Sequence, residues 1–441
     1  MKLQPAIKGR TFLVLVARLL VGGLFTLSGF VKAVDPLGTA YKIDDYLIEL
    51  GLSQLMVLSL PLSLLMVVAE FALGLLLLLG LWRRGTLRLL ALFLFFFTPL
   101  TLWIALTDPV EDCGCFGDAI KISNWETFWK NLLLLAALML LFFNREKITP
   151  LFGRRVAPLA VGFVLLYGLL FSLHNLYRLP LFDFRPFHIG ASIPDQMSVD
   201  PALTDRYETV FIYQKDGVEQ EFTETDYPWD DSTWTFVEMH NRMLREGEKP
   251  AIQDFTLTSL QRDEENGALM AGSDITREIL QQPGYQFLMI SWSLHEMHLR
   301  HLDEFRALHQ FAEESGHPFY LVSASPPEIA TEWEAQHRTG FRFAIADEKV
   351  LKTMVRSNPG LMLLREGVVV NKWDDSRLPS PLPEGVSLES SRLVEPGGVQ
   401  QSDFMRLALV ALSLLLPLLL MKLAERKGVS GRTGWLHDDG A

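Results

Sequence analysis

Sulfur is scarce in this chain: 441 residues contain two cysteines, Cys113 and Cys115. Two cysteines exclude an internal relay between successive dithiol pairs. No histidine precedes His174, so a metal at those cysteines would have to find its remaining ligands elsewhere. The signatures G-x-x-x-x-G-K-S/T, H-E-x-x-H and G-x-S-x-G are all missing, which argues against the nucleotide-binding, zincin and hydrolase classes they mark. No basic patch stands out in the polar part and the formal charge is −12, so nucleic acid is not an expected partner. Internal repeats, low-complexity tracts and paired broken helices are also lacking, which leaves a transporter without support.

What is present is apolar surface in long blocks. Hydrophobic residues make up 49% of a chain that is nonetheless acidic, because apolar ends flank a polar middle. A membrane-spanning helix needs about 20 mostly apolar residues. Six stretches qualify: Thr11–Phe30, Leu55–Trp82, Leu87–Leu106, Asn124–Phe143, Val156–His174 and Phe404–Met421. No small-residue cleavage site follows the first, so it reads as a span and not a signal peptide. Basic residues collect at Lys2, Lys8 and Arg10, at Arg83, Arg84 and Arg88, at Arg145, Lys147, Arg154 and Arg155, and at Lys422, Arg426, Lys427 and Arg432. Six spans place all four groups on one side, the cytoplasmic side by the positive-inside rule. Both termini are then cytoplasmic, and the cysteines and the polar middle are extracytoplasmic.

The cysteines sit in "EDCGCFGD", residues 111–118. A Cys-Gly-Cys pair closes only over a sharply bent backbone, which glycine permits. So small a ring is strained and removes little unfolded-state entropy, which favours a labile redox couple over a staple. Asp112, Asp118 and Glu111 oppose a thiolate unless a cation offsets them, and Lys32 and Lys121 are the candidates. Redox couple, packing motif and soft-metal clip all stay open, with redox leading. Arg18 and Glu70 lie inside apolar spans, where an unpaired charge is costly. They read as an interhelical ion pair, or else as the lining of a polar site within the bundle.

The polar middle divides. Residues 177–194 look like a linker. Between 195 and 282, "TVFIY" and "VEQEFT" flank a turn at Lys215-Asp216-Gly217 and suggest a hairpin, while "DSTWTFVEMHNRML" suggests a helix from Ser232. From 283 to 378, "YQFLMISW", "PFYLVSAS" and "FRFAIAD" read as strands that alternate with helices. "GLMLLREGVVVNKW" reads as a closing antiparallel hairpin. His295, His298 and His301 fall at three-residue steps, which on a helix gives solvent-facing histidines. Residues 379–403 look like a tether to the last span at 404–423, followed by a tail at 424–441.

Two resemblances follow from these motifs. Residues 11 to about 143 resemble the DoxX/MauE group of four-helix membrane proteins. The motifs that carry this are "RLLVGGLFTLSGFVKAVDPLGTA" (18–40), "YL" (46–47), "AEFALGLLLLLG" (69–80) and "DCGCFGD" (112–118). The resemblance implies thiol–disulfide chemistry in the maturation of an envelope protein, and hence a redox role for Cys113 and Cys115. Residues 283–378 resemble a thioredoxin-like domain. There "FLMISW" stands as the central strand and Pro359 as the cis-proline, but Ser293-Leu294-His295-Glu296 replaces the C-x-x-C, which implies a redox-silent fold.

The expectation is a helical membrane bundle carrying an extracytoplasmic α/β thioredoxin-like domain, in a bacterial inner membrane. Cys113 and Cys115 would form the working pair, supported by Asp112, Asp118 and Lys32, with Arg18 and Glu70 as intramembrane polar groups. No metal is expected. The cofactor is undetermined, with a quinone as candidate electron acceptor, and the partners are the lipid bilayer and an extracytoplasmic client or redox protein. The alternative is an envelope scaffold with a structural Cys-Gly-Cys loop.

Overall fold

The computed structural model describes residues 4–433 apart from 111–112, 201, 246, 384–386, 389–390, 392 and 395–402. The chain forms two compact units, Met1–Arg185 with Glu395–Ala441, and Pro186–Val394.

The first unit is helical: α1 (Gln4–Val34), α2 (Pro36–Glu49), α3 (Ser59–Leu79), α4 (Arg83–Thr107), α5 (Asn124–Phe143), α6 (Ala157–Tyr177) and α12 (Asp403–Thr433). Among the described residues, six helical segments are long and apolar enough to cross a membrane, and each overlaps a stretch picked out by hydropathy. Their outward side chains are apolar too. Leu92, Phe95 and Phe96 are exposed by 61 to 76%, a surface that needs lipid and not water. This is a multi-pass membrane protein.

Helices α1 and α3 pack closely because three glycines let their backbones meet. A Cβ at Gly29 would collide with the Phe71 backbone, and one at Gly74 with Thr26 and the Gly22 carbonyl. Val14, Val21, Phe25, Leu73, Leu77, Leu90 and Leu138 fill the interior that results. Helix α2 was not anticipated. It starts at Asp35, whose carboxylate accepts from Gly38 N, with Pro36 in the first turn.

The second unit contains two sheets. The smaller has the order β2 (Val218–Thr223), β1 (Arg206–Lys215), β3 (Thr235–Arg245), antiparallel throughout. The expected hairpin is β1–β2, but the helix expected from Ser232 is the strand β3. Cross-strand pairing with β1 from Arg245 to Thr235 outweighs the helical leaning of "EMHNRML".

The larger sheet has seven strands: β4 (Thr258–Arg262), β5 (Leu269–Asp274), β6 (Tyr285–Ser291), β7 (Phe319–Ser323), β8 (Arg342–Ile345), β9 (Gly360–Arg365) and β10 (Val368–Asp374). Their order is β10-β9-β6-β7-β8-β4-β5. Strands β6, β7 and β8 are parallel, and the β9–β10 hairpin runs antiparallel beside β6. The short helices α7 (Ile193–Gln196) and α8 (Thr276–Gln281) precede β1 and β6, and helices α9 (Leu302–Glu314), α10 (Pro327–His337) and α11 (Glu348–Met354) connect the strands from β6 to β9. Phe287, Met289, Phe305, Phe319, Trp333 and Leu363 lie in the core. The Asn358–Pro359 peptide is cis.

Three expected boundaries move. The sheet runs across 282/283, because β4 pairs with β8. Within the linker at 177–194, residues 187–193 join the fold: Phe187 and Ile193 are buried, and Ile193 N donates to Gly367 O. The tether begins later than 379, since Leu388 and Leu393 pack into the core. Finally, α9 starts at Leu302, so His295, His298 and His301 are not on a helix. The backbone there is held from outside, with Leu294 N donating to Ser325 Oγ and His298 N to Asn358 O.

Candidate functional site

The cysteine loop joins α4 to α5 and is fixed at both ends. Ser123 and Glu126 form a capping box at the start of α5. Asn124 Nδ2 donates to Asp108 Oδ1 (2.8 Å) and Val110 O (3.1 Å). Phe116 is buried beneath the loop, with Lys130 Nζ 4.7 Å from its ring centre.

Between these anchors, Gly114 adopts φ +64°, a left-handed conformation open to glycine at little cost. The turn brings the sulfurs of Cys113 and Cys115 to 3.4 Å as free thiols, both half-buried. Their carbonyls are held from two helices. Tyr46 Oη of α2 donates to Cys113 O (3.0 Å), and Ser28 Oγ of α1 lies against Cys115 O. The Lys42 side chain covers Gly114.

Below the loop is a buried polar cluster. Lys32 Nζ lies 2.8 Å from Glu70 Oε2, and Ser28 Oγ lies 2.6 Å from Glu70 Oε1. Ser28 has one proton and two acceptors, the Glu70 carboxylate and the Cys115 carbonyl, and serves one at a time. Serine 28 and Lys32 share a face of α1 one turn apart, which is why both meet Glu70 of α3.

The electrostatics split the pair. The Cys115 thiol is held below the ordinary range, mainly by the hydrogen bond it shares with Cys113, with Lys130 and Lys32 adding positive charge against desolvation and Glu70. The thiol of Cys113 is pushed up, first by that same hydrogen bond, then by burial and by charge on Cys115. One sulfur is therefore set up as the thiolate and the other as its proton-bearing neighbour.

Some expected site residues gather here and others do not. Lys32 and Glu70 do, yet they pair with each other. The expected Arg18–Glu70 pair does not form. At about 1.5 Å rise per residue, Arg18 stands roughly 21 Å along α1 from Lys32. It reaches the C-terminal end of α3 instead, donating to Leu77 O (2.9 Å) and Leu78 O (2.7 Å). Asp118 is exposed in the turn and Lys121 is exposed beyond it. Asp112, with Glu111, lies outside the described residues. Ser28, Tyr46 and Lys130 were missed. The spacing of Ser28 to Lys32 was a usable signal, and Tyr46 belongs to the "YL" already noted.

Residues 10–144 match the family model described as Methylamine utilisation protein MauE. The N-terminal third of the chain is MauE-like. That match, residues 10–144, covers the cysteine loop and the residues named above as contacting it. Residues 207–246, the span of β1 to β3, match a domain of unknown function, DUF8463. No curated protein and no solved structure matches the chain.

Proposed function

We propose that the MauE-like unit is a thiol–disulfide redox module on the extracytoplasmic side of a bacterial inner membrane, serving the maturation of envelope proteins. The observation that carries this reading is the pair of facing thiols, 3.4 Å apart over a left-handed glycine. The Cys115 thiolate attacks a client disulfide and forms a mixed disulfide while one client sulfur leaves as a thiolate and takes up a proton. Cys113 then loses its proton and displaces the second client sulfur, which is protonated in turn. The client is reduced by two electrons and the protein keeps a Cys113–Cys115 disulfide. Run backwards, the same steps give a disulfide to the client. In the reducing direction a partner dithiol protein resets the pair by giving it two electrons and two protons, and in the oxidising direction a quinone takes them from it.

In this reading Lys32 and Lys130 offset the thiolate, Ser28 and Tyr46 hold the loop backbone, and Asp118 stands exposed beside the pair. The outer α/β unit is read as thioredoxin-like, with three parallel strands flanked by an antiparallel hairpin. It carries Ser293-Leu294-His295-Glu296 after its central strand and serves to bind or position clients.

Thiol trapping with an alkylating mass tag in intact cells tests the proposal. A reversible shift between free and bridged forms, lost in Cys113→Ser, is the expected result. Pairs locked in one state under oxidant and reductant, with functional Cys→Ser variants, would overturn it. A structural loop on an envelope scaffold is the second reading, favoured by the anchoring of the loop at both ends.

A further inference from the structure

Strand β3 is the edge of its sheet and every one of its residues, Thr235 to Arg245, is exposed. Among the described residues its only strand partner is β1. On the open side, alternate residues present unpaired N–H and C=O groups, the arrangement that recruits another strand. Proteins usually protect such an edge with proline, lysine or inward charge. Here the sequence is "TFVEMHNRMLR", with neither proline nor lysine. The register with β1 shifts near Tyr213 and near Arg206, which leaves Glu238–Met243 as a regular stretch.

That stretch is complementary to itself. The geometry points to a second copy of this chain as its partner, paired antiparallel through β3 about a two-fold axis at His240. In this register Glu238 lies opposite Arg242 of the other copy, and by symmetry Arg242 opposite Glu238. Met239 faces Asn241, and His240 faces itself. Phe236, Val237 and Leu244 lie where the register with β1 shifts, so they flank the regular pairs and belong to none of them. These residues and Met243 are apolar and 43 to 52% exposed. Among registers confined to Glu238–Met243, this one alone sets a carboxylate against a guanidinium. Arg242 already contacts Glu208 (2.8 Å) and Glu221 (3.2 Å) within its own sheet. Its five N–H donors leave room for a third carboxylate.

The result is a continuous six-stranded antiparallel sheet with an isologous interface. Two charge pairs with apolar residues flanking them are a modest contact in solution. Two copies anchored in one bilayer meet at a raised effective concentration, and there a modest contact suffices. The span matched by DUF8463 is this sheet, so the inference assigns that segment to self-association. It stands whether or not Cys113 and Cys115 cycle.

The test uses the full chain in membranes with both native cysteines replaced by serine. Opposed β residues lie about 5 Å apart, within reach of a disulfide, whereas Glu238 of the two copies would be about 13 Å apart. His240→Cys is expected to give a disulfide-linked dimer under mild oxidant. Glu238→Cys and Arg242→Cys alone are expected to stay monomeric, and to link when the two chains are co-expressed. Adding Glu238→Arg to His240→Cys is expected to lower the dimer yield severalfold. An unlinked His240→Cys whose thiol a maleimide labels freely would overturn the inference. So would equal linking at 238 and 240, which marks random collision, or linking of His240→Cys to a different protein.

Discussion

Two loops in this molecule are built alike and differ in what they carry. In the membrane unit, the stretch between α4 and α5 has its carbonyls held by Tyr46, Asn124 and Ser28. In the outer unit, the stretch between β6 and α9 is held by Ser325 and Asn358, with Asn358 Nδ2 donating to Ser293 O (3.0 Å). The first presents two thiols above a buried Lys32–Glu70 pair, and the second presents Ser293 and His295 over the neutral Ser291–Asn358 pair, with His298 at its edge 3.5 Å from the Asp375 carboxylate. Neutral donors suffice to fix a loop. Of the two loops it is the sulfur-bearing one that stands over a buried ion pair, expensive to desolvate, where a thiolate needs a cation nearby.

Breaking the ion pair should therefore have the largest effect. Lys32→Ala strands the Glu70 carboxylate in a site where both side chains are about nine-tenths buried. The expected loss is about 3–5 kcal/mol, read as detergent-induced unfolding in mixed micelles. The Lys32→Met, Glu70→Met double variant should recover most of it, because no lone charge remains. If it does not, the pair does more than neutralise itself.

The matching cut in the outer loop should cost less. Asn358 is buried, and it accepts from Ser291 Oγ at 2.7 Å besides donating to Ser293 O. Asn358→Ala leaves those partners unsatisfied at about 1–3 kcal/mol, measurable by thermal unfolding. A cost equal to that of Lys32→Ala would erase the contrast between the two loops. Gly114→Ala comes next. An L-residue at φ +64° costs about 1–2 kcal/mol, and its Cβ would press on Lys42. Slower closure of the thiol pair, timed by mass tagging after oxidant, is the expected outcome.

How far the sequence revealed all this depended on the range of the determining interaction. The six spans were legible because hydropathy over 20 residues is a local property, as were strands β6 to β9, which are short apolar runs between breakers. Strand β3 was misread because its conformation is imposed by β1, which lies distant in sequence. The Lys32–Glu70 pair was half legible: both charges were singled out, but which cation reaches Glu70 depends on the offset between α1 and α3. That offset is set by Gly22, Gly29 and Gly74, whose meaning appears only when the two backbones touch. Position 295–301 failed for a similar reason, since its backbone partners are Ser325 and Asn358.

The smallest effects are electrostatic, and they separate the thiols most finely. Because the Cys115 thiol is held down, its alkylation rate at limiting reagent should rise and level off at a lower pH than that of an ordinary thiol, whose midpoint is about 8.5. Cys113 should still be unreactive there, since its thiol is pushed up. The sign of each perturbation follows from what stabilises the thiolate. Cys113→Ala removes the hydrogen bond to the Cys115 sulfur, the largest cause of the depression, so the midpoint should move furthest upward. Lys130→Met removes one cation and should raise it by about a pH unit or less. A shift for Lys130→Met equal to that for Cys113→Ala would make field, not hydrogen bonding, the source of the asymmetry. A profile with its midpoint near that of an ordinary thiol would remove the distinction between the two sulfurs, and with it the assignment of Cys115 as the attacking one.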